Sequence, residues 1–128
     1  MMKATMTKSR YRNMKQQLNK ILKPHVELCS QLECDGTTRV LSYVLDQHNI
    51  DHKVMVGQLV AEDDGISLHY WIEVGEYIVD YKAQMWLDEQ APHGVFTQAE
   101  VLPYGYYGSK VPMPTSSLIY RILTGKSF

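Results

Sequence analysis

The sequence predicts an α+β domain in which N-terminal helices pack on an antiparallel β-sheet. Apolar residues recur at three- and four-residue spacing in two segments before residue 50. Segments rich in β-branched and aromatic residues follow at residues 53–61, 67–74 and 77–81, with turn residues between them. Helices first and a strand meander afterwards is the order of an α+β fold.

The first helix is read from Met6 to Leu22, where Tyr11, Met14, Leu18, Ile21 and Leu22 make one apolar stripe. Pro24 is expected to stop it. A second helix is expected to open at Pro24 or His25 and run through Val26 and Leu28 to a junction near residues 33–36, because Gly36 interrupts or restarts a helix. From Cys34 or Asp35, the stripe Val40, Leu41, Val44 and Leu45 marks the central helix, which ends at His48-Asn49.

Residues 53–61 and 67–74 read as neighbouring antiparallel strands joined through the turn Glu62-Asp63-Asp64-Gly65. Gly75-Glu76 suits a two-residue hairpin into a short strand over 77–81. After Trp86 the chain is rich in Pro, Gly and Tyr, so long regular elements are not expected there. A last short helix is read from Ser116 to Leu123.

With 128 residues, 45% hydrophobic and 21% charged, the chain reads as one globular domain: a core over about residues 25–90 and a basic helix over 6–22. No apolar run approaches bilayer length, and Met1 to Thr7 lead into a polar basic segment, so no membrane partner and a cytoplasmic location are expected. Two cysteines are too few for a disulfide framework and fit a compartment where thiols stay free.

Net charge is −1, yet residues 1–24 hold Lys3, Lys8, Arg10, Arg12, Lys15, Lys20 and Lys23 without an acid. No recognition motif accompanies this charge, and a solvated helix face is the reading preferred over nucleic-acid binding. His48 and His52 are four apart, but Asn49 ends the helix between them; neither they nor His25, Cys29 and Cys34 have the spacing of a metal site. No metal or cofactor is expected. Cys29 reads as a small core residue.

Cys34 is the candidate nucleophile. A thiol at a helix N-terminus meets the positive end of the backbone dipole and unpaired amides, which favour a thiolate and can hold an oxyanion. Asp35 beside it opposes this by like-charge repulsion unless it turns to cap the amides near Thr37 or Thr38. A thiol needs a base, and a base needs an orienting partner. If Gly75-Glu76 is a two-residue turn, Val74 pairs with Tyr77 and Trp71 lies opposite Asp80. His69 and Asp80 then share one face as diagonal neighbours, about 7 Å apart at Cβ and within reach of a hydrogen bond. The opposite face, Leu68, Tyr70, Ile72, Val74, Tyr77, Val79 and Tyr81, is more apolar and needs cover.

These residues resemble the transglutaminase-like superfamily of papain-fold enzymes: a Cys opening a helix, a His-x-Trp strand, then a Val-Asp strand. Cys34-Asp35 through Ile50, His69-Tyr70-Trp71-Ile72-Glu73-Val74 and Ile78-Val79-Asp80 match these parts in order, over about residues 30–82. The chain departs from the family pattern at Leu32-Glu33, where a glycine is usual, and at Tyr81, where proline is common. Residues 80–87 with Pro92-His93-Gly94 are similar to small bacterial and phage members.

The resemblance implies a papain-like core with catalytic Cys34, His69 and Asp80 acting on a peptide or protein amide or acyl substrate, by hydrolysis or by transfer to an amine. Trp71 and Trp86 are candidate substrate-binding residues, and part of the Tyr104, Tyr106 and Tyr107 cluster could line a groove, although packing is preferred for these aromatics. The alternative is a catalytically silent binding module that uses the basic N-terminal helix to hold a partner. A homo-oligomer stays open.

Overall fold

A computed structural model describes residues 8–128, with side chains from residue 13 onward. Helix α1 spans Lys8–Glu27, α2 Cys34–Gln47 and α3 Ser117–Thr124. Five strands, β1 Lys53–Val60, β2 Gly65–Val74, β3 Tyr77–Asp80, β4 Gly94–Thr97 and β5 Gly105–Lys110, form one antiparallel sheet in the order β4-β3-β2-β1-β5. The α+β class holds. The expected helix start at Met6 and the side chain of Tyr11 lie outside the described residues.

Pro24 does not stop the first helix but lies inside α1. Proline removes one backbone donor and one intrahelical bond, a loss placed here at an exposed position close to the helix end. Burial of Leu18 and Leu22 before that loss, and packing of Val26 after it, hold the helix on the core. The second helix expected from Pro24 is therefore the last turn of α1. The chain then tightens through the amides of Leu28, Cys29 and Leu32, which donate to the carbonyls of His25, Val26 and Cys29.

Helix α2 buries its expected stripe, Val40, Leu41, Val44 and Leu45, and ends as His48 caps it and Asn49 turns left-handed at φ 55°. Both α1 and α2 pack on the sheet face carrying Ile72, Val74, Tyr77 and Val79, and this forms the main core. The helices are thus the cover that the apolar face required. Tyr120 of α3 joins the same core, whereas Leu68 stays 65% exposed. On the other face Met55, Trp71, Ile78 and Phe96 make a second cluster with Tyr106 against it.

The Gly75-Glu76 hairpin has the expected register, Val74 opposite Tyr77 and Ile72 opposite Val79, with Gly75 at φ 57°. The sheet is wider than the sequence suggests. The Pro-, Gly- and Tyr-rich tail supplies its two edges, β4 beside β3 and β5 beside β1. Among the described residues no helix is long and apolar enough to cross a membrane.

Candidate active site

Strand β2 carries His69 in a fully buried position, and β3 ends on the buried Asp80. The hairpin parity puts both on one face. His69 Nε2 lies 2.6 Å from Asp80 Oδ2. A carboxylate only accepts, so Nε2 carries the hydrogen and donates. That leaves Nδ1 as the free ring nitrogen, buried and without a hydrogen-bond partner of good geometry.

Cys34 is the first residue of α2 and is 8% exposed. Its side chain comes close enough to His69 to act on the ring both as hydrogen-bond partner and as charge. Burial disfavours the imidazolium, but the hydrogen bond and charge of Asp80, together with the nearby Cys34 side chain, outweigh it and raise the His69 pKa to about 9. Glu33 precedes the helix in extended backbone and makes no side-chain cap; its carbonyl accepts from the Thr37 amide at 3.0 Å. The amides of the first turn around Cys34 have no intrahelical acceptor. Asp35 is exposed in that turn.

Asp80 is held by more than His69. Its Oδ1 accepts from the Lys82 amide at 2.9 Å, and its Oδ2 also accepts from the Tyr106 hydroxyl at 2.7 Å. Tyr106 sits on β5, which the sheet order separates from β3 by two strands. A flat sheet would hold β3 and β5 about 14 Å apart. The contact therefore needs a curled sheet, and the register break in β1 between Gly57 and Leu59 is the irregularity that bends it.

Glycines keep the inside of this curl open to aromatic rings. Gly57 lies opposite His69 on one side and Gly108 on the other. A Cβ on Gly108 would stand 2.8 Å from the Trp71 ring, so the ring rests where a side chain would be. Trp71 stacks on His69 with centroids 6.2 Å apart and meets Tyr106 edge-on at 5.1 Å. Its indole N–H donates to Glu73 Oε2 at 3.2 Å.

Of the sequence-predicted site residues, Cys34, His69 and Asp80 come together. Trp71 is 1% exposed and packs behind the imidazole as a wall, which leaves it no open surface for substrate. Trp86 is 53% exposed and caps the short helical turn after β3. Cys29 is fully buried, and its thiol donates to the His25 carbonyl at 3.2 Å. His52 uses both ring nitrogens, one on the Ile50 carbonyl and one on Ser42 Oγ, and His48 Nδ1 donates to the Val44 carbonyl. Among the described residues no group of three His, Cys, Asp or Glu is placed to hold a metal.

Sequence reasoning names Tyr106 only within an aromatic cluster for packing or a groove, and gives no sign of its hydrogen bond to Asp80. A buried carboxylate needs several donors, and the Gly105-Tyr106-Tyr107-Gly108 segment supplies one. A cleft of about 490 Å³ lies elsewhere, between α1 at Lys15, Gln16 and Asn19 and the β4 segment at His93 to Phe96. Comparison of the chain with protein-family models, curated proteins and solved structures gave no significant match.

Proposed function

We propose that this protein is a cysteine acyl-transfer enzyme of the transglutaminase-like branch of papain-fold proteins, with Cys34 as nucleophile, His69 as base and Asp80 as orienting acid. The observation that carries this reading is the buried pair of His69 and Asp80 at 2.6 Å, which leaves Nδ1 free with the Cys34 side chain acting on the same ring.

In the proposed reaction His69 Nδ1 takes the thiol proton, and the Cys34 sulfur forms a bond to the carbonyl carbon of an amide. The carbonyl π pair moves onto oxygen, where amides at the start of α2, that of Cys34 among them, donate to it. As the C–O π bond re-forms, the C–N bond breaks and the amine leaves with the proton from Nδ1. Water or a second amine then attacks the thioester and gives its proton to His69. The returning proton restores the thiol as the acyl group departs. Asp80 fixes Nε2–H toward itself, so Nδ1 is the ring atom that exchanges protons with the thiol and the amine.

Alkylation tests this directly. Iodoacetamide near neutral pH is expected to label Cys34 faster than free cysteine and to leave the buried Cys29 untouched, with labelling at residue 34 lost in Cys34→Ala. Labelling no faster than free cysteine would sink the proposal. A broad screen of acyl-transfer probes with mass spectrometry of the trapped group would then name the substrate and separate hydrolysis from transfer. The second reading, a silent binding module, draws on the cleft beside α1, which lies apart from the thiol and is lined by Lys15. It predicts an inert Cys34.

A further inference from the structure

Two donors converge on one oxygen of Asp80. His69 Nε2 approaches Oδ2 at 2.6 Å and the Tyr106 hydroxyl approaches the same atom at 2.7 Å. The phenol lies in the curl of the sheet, in contact with the edge of Trp71 and with Phe96, its ring 6.4 Å from that of His69. Its backbone is fixed as well: the Tyr106 amide donates to Gln98 Oε1 at 2.9 Å, and Gln98 Nε2 donates to the Tyr104 carbonyl.

We propose that Tyr106 is a positioning residue: its hydroxyl locks the Asp80 carboxylate in place, shares the oxygen that holds His69, and so sets how firmly His69 keeps its proton. This rests on the reading of Cys34, His69 and Asp80 given above. The physical argument is competition. A carboxylate oxygen that accepts a second strong hydrogen bond presents less negative charge to the first donor, and the imidazolium beside it is held less tightly.

Burial, then the charge and hydrogen bond of Asp80, raise the Tyr106 pKa far above the phenol range, so its proton stays on and the hydroxyl is always the donor. The titratable groups acting on His69 are Asp80 of β3 and Cys34 of α2. Tyr106 of β5 acts through Asp80. Without the phenol hydroxyl, His69 would hold its proton more tightly and hand it less readily to a leaving amine. With it, Asp80 orients the ring without capturing the charge.

The test is an NMR titration of labelled His69 imidazole in the full chain. Tyr106→Phe keeps the ring and its packing but removes the donor, and is expected to raise the His69 midpoint by about half a unit to one unit. Site-specific 3-fluorotyrosine at position 106, a more acidic phenol and a stronger donor, is expected to lower it. A ring that only packs would leave both titrations within about 0.2 unit of wild type, and that result, or a downward shift in Tyr106→Phe, overturns the proposal. If Tyr106→Phe does not fold, the fluorotyrosine protein alone decides.

Alkylation of Cys34 on the same samples keeps the two readings apart. An inert thiol with opposite His69 shifts removes the enzyme reading and leaves Tyr106 as the tuner of the His69 and Asp80 pair. A reactive thiol with unmoved titrations removes only the role of Tyr106.

Discussion

Raising the pH should weaken the fold through His69, by an amount that the buried pair sets. The His69 pKa is raised from 6.5 to about 9 in the folded chain. A raised folded pKa means that the folded state binds the proton more tightly, so its stabilisation is complete below pH 6.5 and disappears as pH climbs through about 9. That gap, at about 1.4 kcal/mol per pH unit, is worth about 3 kcal/mol. For a domain of this size the loss corresponds to a melting temperature about 10 °C lower.

Urea unfolding at pH 6 and pH 10 reads the effect, and Asp80→Asn is the control. Without the Asp80 charge, burial still lowers the His69 pKa and only Cys34 is left to raise it. The variant should then lose less stability from this residue as pH rises than wild type does. Cys29, whose buried thiol is raised to about 11, also loses stability at high pH, but it does so in both proteins and cancels in the difference. Equal pH profiles for wild type and Asp80→Asn would refute the argument.

Two further outcomes follow from the packing. A Cβ at Gly57 would fall 2.1 Å from the Tyr107 carbonyl oxygen, so Gly57→Ala should part β1 from β5 at a cost of about 3 kcal/mol. Thermal melting measures the cost, and the His69 titration should move with it because Tyr106 leaves Asp80. Ser116 caps α3 through its Oγ, which accepts from the Ile119 amide at 3.1 Å; Ser116→Ala should cost about 1 kcal/mol and leave the His69 titration unchanged.

Local chemistry made half of this molecule legible. The two-residue turn at Gly75-Glu76 fixed a register, and register alone put His69 and Asp80 on one face. The stripe from Val40 to Leu45 placed α2, and with it Cys34, because burial of a helix face is written at a regular spacing. Pro24 misled because a proline signals a local cost, whereas the helix around it is held by contacts of Leu18 and Leu22 with distant residues. Strands β4 and β5 were hidden for a similar reason. Their glycines and tyrosines read locally as turns, and only the partner strands, β3 and β1, make them part of the sheet. Tyr106 shared that obscurity, since its tie to Asp80 depends on the sheet's curl and not on any nearby pattern.

The curl also ties completion of the site to a late strand. Cys34, His69 and Asp80 leave the ribosome in succession, and β2 and β3 can close their hairpin as soon as both are out. Strand β1 must wait with one edge bare until β5 emerges to pair with it. Until then Asp80 lacks its phenol donor and the Trp71 ring lacks the strand that covers it at Gly108. A nascent chain therefore carries the thiol, the imidazole and the carboxylate well before it can hold them in a sealed, tuned arrangement, so the site reaches its final state only in the finished sheet.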